Sequence, residues 1–235
     1  MRSMTIRHAS LLFAGFTAYF FFLLFTLFPF LRNNFGWNPV LNWFVTGYFL
    51  FVPIFAYAVL AVRREGSGTL PMVLEGLNIK PLSARDWKYS VFGLALVFAL
   101  TGVIFGASFL LSRHLGVREL STVPWFVELS PLQGMERLLL LVWLPMFFLN
   151  IVGEEAMWRG YIQKRVVARN GWVYCTLLWL MFHLPFGVDL LIMLLPLVFV
   201  VPYVFHRTQN TLGCIFIHGV YNGPLFVAVA LGATA

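Results

Sequence analysis

The chain has 235 residues, of which 60% are hydrophobic, 18% aromatic and only 11% charged. A soluble domain carries roughly 25% charged residues, so the composition excludes one and indicates a polytopic membrane protein. The formal net charge is +7, but the basic residues stand at the ends of apolar runs and form no single patch. That placement speaks for membrane topology and against nucleic-acid binding.

Apolar runs of about 20 residues cross a bilayer as helices, because there the backbone has to satisfy itself. Seven are predicted in chain order, at 9–30, 40–62, 89–112, 137–163, 171–185, 188–205 and 210–232. The first is longer than a signal peptide's apolar core and no small-x-small cleavage site follows it, so a retained anchor is expected. Arg64 to Trp87, opening with Glu65-Gly66-Ser67-Gly68, is the longest polar connection and has room for a short interfacial helix. Residues 113–136 form a second loop, with Pro124-Trp125-Phe126 at interfacial depth. The fifth run is the shortest, and Pro185-Phe186-Gly187 breaks it from the sixth. Cys175 and Cys214 both fall inside spans, so no disulfide framework or Cys-rich metal motif is expected. No internal repeat is discernible.

The basic residues orient this arrangement. With the N-terminus cytoplasmic, the inner segments hold Arg2, Arg7, Arg63, Arg64, Lys80, Arg85, Lys88, Arg159, Lys164, Arg165, Arg169 and Arg207. The outer segments hold Arg32, Arg113, Arg118 and Arg137. Twelve against four favours N-inside and C-outside. The expected fold is therefore all-α, a transmembrane bundle of about seven or eight spans. Residues 1–136 supply N-terminal helices and loops, and 137–235 carry the functional groups within one integral membrane domain.

Those groups stand out because charge inside a membrane is costly unless it is paired or lines a cavity. Glu154, Glu155 and Arg159 lie on the fourth run, His183 ends the fifth, and His218 and Asn222 lie on the seventh. At about 1.5 Å per residue, Glu154 is ~15 Å from Lys164, His183 ~18 Å from Gly171, and His218 and Asn222 ~12 and ~18 Å from Asn210. Residues on three helices thus reach one depth. Residues four apart share a helix face, so Arg159 is expected to pair with Glu155. Glu154 points elsewhere without a cation, as suits a base that takes a proton from water. His218 and Asn222 are also four apart, and both can donate to one oxygen, which is what an oxyanion site requires. His183 is a further proton carrier. Asn150 is expected to tie helices together, Asp189 to cap a helix and Trp179 to pack above His183. His8, His114 and His206, near span ends, receive no role.

Glu-Glu-x-x-x-Arg at 154–159, Trp-x-x-x-His at 179–183 and His-x-x-x-Asn at 218–222 resemble, in order, the three motifs of the CPBP family. These are the CAAX proteases and bacteriocin-processing proteins, also called ABI-type intramembrane proteases. The resemblance covers about residues 137–225, with one departure: the family usually has Phe where this chain has Trp179. It implies an intramembrane endopeptidase in a helical bundle, with a conical cavity open toward the cytoplasm and the membrane. In that reading Glu154 activates water with help from His183, His218 and Asn222 stabilise the oxyanion, and Glu155 with Arg159 braces the site. Zinc, if bound, would sit on Glu154, His183 and His218. No His-Glu-x-x-His pattern is present and Asn222 is an amide, which favours metal-free glutamate chemistry. The implied partners are the lipid bilayer and a peptide or membrane-anchored protein substrate, in a prokaryotic plasma membrane. The alternatives are a non-proteolytic scaffold, regulator or bacteriocin self-immunity protein, and a proton-coupled transporter.

Overall fold

The computed structural model describes residues 3–66, 68–127 and 130–232. Arg2 and Ser67, which enter the sequence reading above, lie outside them. Helix α1 (Ile6–Phe22) continues through a π-helical stretch at Leu23–Leu27 into α2 (Phe28–Phe35), which stops where Gly36 turns left-handed at φ 59°. Helix α3 (Pro39–Arg64) starts under the Asn38 cap, whose side chain accepts from the Val40 N–H at 2.9 Å. Proline at its first position gives up an N–H that had no helical partner. The polar connection does hold a short helix, α4 (Leu70–Gly76). A capping box between Ser83 and Asp86 opens α5 (Ala84–Leu115), and left-handed Gly116 closes it.

The fourth rod is composite. A 3₁₀ turn at Gly134–Leu138 leads into α6 (Leu139–Glu155), which runs on as a π-helix from Ala156 to Gln163. Helix α7 (Gly171–Phe182) gives way to a 3₁₀ turn at Leu184–Phe186. Then come α8 (Val188–Thr208) and α9 (Thr211–Ala230). Among the described residues, six continuous helical runs are long and apolar enough to cross a membrane, and Gly171–Phe186 is a shorter apolar one. All seven predicted runs are thus helical, in an integral, multi-pass protein.

Hydrogen bonds between connections sort the ends of the bundle into two faces. On the N-terminal face the Met4 N–H bonds the Arg165 carbonyl at 2.8 Å, the Thr211 N–H bonds Asn78 O at 2.9 Å, and Lys164 Nζ bonds Glu75 O at 3.0 Å. On the opposite face Asn38 Nδ2 bonds Glu136 at 3.0 Å, the Leu132 N–H bonds Ala230 O at 2.8 Å, and Arg118 pairs with Asp189 at 2.8 Å.

The fourth rod is the centre of the core. A methyl on Gly153 would meet Phe55 Cβ at 3.2 Å and the Phe51 carbonyl at 3.4 Å, so α3 and α6 approach closely one residue before Glu154. Every residue of the π-helical stretch is buried. At Gly160 a Cβ would stand 2.6 Å from the Leu77 carbonyl, so glycine is what lets the α4–α5 connection close against the rod. Helix α5 is the outlier. It buries only Asp86, Ser90, Gly93 and Val97, and its remaining apolar surface is what a lipid-facing helix presents.

Candidate active site

The sequence-predicted residues come together. Glu154, His183, His218 and Asn222, from three helical segments, line one cavity of about 260 Å³. Glu155 and Arg159 are absent from its wall and lie wholly buried. The cavity is otherwise mostly apolar, lined by Trp143, Phe147, Leu194 and Phe226 among others.

Glu154 is held by tryptophan. Its Oε2 accepts from Trp158 Nε1 at 3.2 Å and from Trp179 Nε1 at 2.9 Å. Both bonds fall on one oxygen, and among the described residues Oε1 takes no donor. A carboxylate fixed through one oxygen keeps the lone pairs of the other for the cavity. Trp179 was expected only to pack above His183; its ring does meet His183 edge-on, at 5.2 Å between centroids, but the indole N–H is the stronger contribution. Trp158, four residues after Glu154, was legible as a face-sharing partner and went unassigned.

His183 Nδ1 lies 2.8 Å from the Trp179 carbonyl. A carbonyl oxygen only accepts, so Nδ1 carries the hydrogen and the neutral ring keeps a lone pair on Nε2. His218 Nδ1 lies 2.8 Å from Glu155 Oε1. Glu155 therefore faces two ways, because its Oε2 is 3.3 Å from Arg159 Nε. The Arg159 guanidinium lies 3.9 Å from the centroid of the Trp179 ring, and among the described residues its Nη1 and Nη2 find no acceptor. One buried cation thus sits behind both halves of the site, touching Glu155, which holds His218, and Trp179, which holds Glu154. The expected Glu155–Arg159 brace is present, and it extends further than the i, i+4 spacing indicated.

Asn222 is partly exposed to the cavity and its side chain makes no hydrogen bond among the described residues. Asn150, expected to tie helices together, instead lines the cavity four residues before Glu154, with its Oδ1 buried and unpaired. Asp189 stays outside the site. It pairs with Arg118 and accepts from the Ser121 N–H at 3.0 Å, so it tethers the α5–α6 loop. His206 stacks on Trp172, away from the site, and His8 lines a separate cavity beside Arg165.

The donor set does not fit a zinc ion as arranged. Among the described residues no three His, Cys, Asp or Glu side chains form a group that could hold a metal.

Trp179→Phe offers a direct measure of the indole contact, since it keeps a ring beneath Arg159 but removes one donor to Glu154. Hydrogen bonds to charged groups contribute about 1.5–3 kcal/mol. The substitution is expected to lower stability by an amount in that range, read as a lower melting temperature, and to lower turnover with little change in KM. An unchanged melting temperature and turnover would show that Trp158 alone suffices to hold Glu154.

Residues 136–223 match a family model described as type II CAAX prenyl endopeptidase, Rce1-like. No curated protein and no solved structure matches the chain. The matched segment begins within the 3₁₀ turn that opens the fourth rod and ends one residue past Asn222, so it contains Glu154, Glu155, Trp158, Arg159, Trp179, His183, His218 and Asn222. That segment of the chain is similar to the Rce1-like family, in keeping with the resemblance its three motifs carry.

Proposed function

We propose that this protein is an intramembrane endopeptidase that hydrolyses a peptide bond of a membrane-associated polypeptide with water activated by Glu154. One observation carries the reading: a base, two imidazoles and an amide from three helical segments face one apolar cavity, while the ion pair that positions them is shut away behind it. The match to a prenyl-endopeptidase family model over the same residues supports it.

The roles follow from which atoms are free. Water bound between Glu154 Oε1 and His183 Nε2 meets two acceptors, so it is oriented with its hydrogens toward them and a lone pair toward a substrate carbonyl. As the water attacks, Glu154 takes its proton and the carbonyl oxygen becomes an oxyanion. Asn222 Nδ2 donates to that oxygen. His218 also donates, from Nε2, as an imidazolium whose Nδ1–H is held by Glu155. Collapse of the tetrahedral intermediate breaks the C–N bond, and Glu154 passes its proton to the leaving amine. Each of these steps uses groups of the chain alone, a glutamate mechanism without metal.

Purified protein incubated with a membrane-protein extract, with new chain termini read by mass spectrometry, tests the activity. Defined cuts at membrane-proximal positions are expected. Their absence, in a protein that still complements a deletion strain, would favour a scaffold or self-immunity role, and proton-coupled uptake by reconstituted vesicles would favour a transporter. Asn222→Ala tests the oxyanion role. Loss of one preorganised donor costs about 10²–10³ in turnover, so kcat is expected to fall by that much with KM nearly unchanged. A rise in KM alone would make Asn222 a substrate-binding residue.

A further inference from the structure

We infer that the site opens to the non-cytoplasmic face of the membrane, so that its substrate is a polypeptide segment presented from the outer half of the bilayer. The nature of the ligand rests on the endopeptidase reading; the direction of the opening does not.

The cavity occupies only one half of the bundle. It takes Trp43 from the start of α3, Trp143 from the start of α6, Leu190 from the start of α8 and Val229 from the end of α9, all ends that meet the face opposite the N-terminus. The site residues form its floor. The α5–α6 loop forms its roof, through Thr122, Val123, Pro124 and Val127.

Toward the N-terminal face the site is closed by packed core. Met157, Trp158, Arg159 and Ile162 have no exposed surface, and Phe205, Cys214 and Ile217 have none beside them. The α4–α5 connection then seals that end, with Thr211 Oγ1 donating to the Leu77 carbonyl at 2.6 Å and Leu77 pressed on Gly160. Interiors packed in this way leave few voids larger than water, and the separate cavity at that face, lined by Tyr57, Tyr161 and Arg165, shares no lining residue with the site's cavity, so a substrate has no route from that side.

Charge says which face is which. Arg159 is buried in the site and is not a loop charge. Without it, and without Arg2, the N-terminal face still carries ten of the lysines and arginines named above, against Arg32, Arg113, Arg118 and Arg137 on the other. An excess of that size marks the cytoplasmic side, and the cavity lies on the opposite one. The cytoplasmic opening implied by the family resemblance does not fit this chain. A prenylated chain end in the cytoplasm would meet the sealed face, whereas a translocated peptide or an outward juxtamembrane tail would meet the cavity. The roof is tied at its edges. Its Arg118–Asp189 pair has the arginine side chain 74% exposed, and exposed ion pairs contribute little. The Ser121 N–H to Asp189 at 3.0 Å, Trp125 Nε1 to Pro185 O at 3.0 Å and the Leu132 N–H to Ala230 O at 2.8 Å are further ties.

Single cysteines in the full-length protein test this in intact cells and in inverted membrane vesicles, using a small, charged, membrane-impermeant methanethiosulfonate. Native Cys175 and Cys214 are buried. Met135→Cys, on the cavity face, and Asn222→Cys, on the cavity floor, are expected to be modified in intact cells. Val167→Cys is expected to be modified only in inverted vesicles. Leu190→Cys, on the cavity wall, replaces Asn222→Cys if the latter does not accumulate. Modification of Val167→Cys in intact cells would overturn the orientation. A floor cysteine modified only in inverted vesicles, or in neither preparation, would overturn the outward opening. The readout needs no cleavage, so failure of the protease reading leaves it intact, and its own failure leaves the protease reading intact.

Discussion

Glu154→Gln is expected to abolish cleavage while leaving a protein that inserts, accumulates and melts like the wild type. The structure separates these two outcomes atom by atom. The two indole donors of Trp158 and Trp179 converge on Oε2, and a glutamine carbonyl accepts from both as a carboxylate does. The fold contact is therefore kept. The other position becomes an NH₂ facing the cavity, which donates where the mechanism requires an acceptor and cannot take a proton from water. General-base catalysis contributes about 10²–10⁴ in rate, so turnover should fall by at least that range. Proteomics of membranes carrying Glu154→Gln in place of wild type would read the loss as vanished cleavage products, and the lost cuts would name the substrate. Cleavage within a few-fold of wild type would remove Glu154 from the role of base. Loss of protein along with activity would make its indole contacts the dominant contribution.

Much of this was legible in the chain, for identifiable reasons. Hydropathy alone placed all seven helical runs, because a helix in lipid needs an unbroken apolar stretch. The common depth of Glu154, His183, His218 and Asn222 followed from counting 1.5 Å per residue from the span ends, and the cavity contains all four. Contacts between helices were not legible. Spacing paired Glu155 with Arg159 on one helix, but the bond from Glu155 to His218 crosses from the fourth rod to α9, and rotation of one apolar helix about another leaves no periodic trace when both are apolar all round. The Trp179 indole was misassigned for the same reason: its ring is hydrophobic by type, and only the neighbouring helix shows that its N–H meets a carboxylate. The π-helical stretch at Ala156–Gln163 carries no sequence signal in this chain, although such turns often mark functional sites. The half of the bundle that stays hollow depends on how the α5–α6 and α4–α5 connections fold over the two ends, which composition does not encode.

Arg159→Ala should produce the largest loss of stability of any single substitution in the site. The guanidinium and the Glu155 carboxylate are both fully buried, 3.3 Å apart. Removing the cation leaves Glu155, among the described residues, with the His218 ring as its remaining partner and leaves the Trp179 face without its charge. Breaking a buried pair in this way costs about 3–5 kcal/mol, which should appear as lower accumulation and a lower melting temperature in detergent. Activity should fall as well, because Arg159 stands behind both Glu155–His218 and Trp179–Glu154. The double variant Glu155→Gln/Arg159→Met separates charge from packing. If the uncompensated carboxylate is the main cost, the double variant should be more stable than Arg159→Ala alone, since no charge remains unpaired. It should nevertheless stay inactive, because a glutamine behind His218 no longer balances an imidazolium that donates to the oxyanion. A fully stable but inactive Arg159→Ala protein would instead put the arginine in chemistry or substrate binding. A double variant that recovered activity would show that His218 needs only to be held in place, not charged.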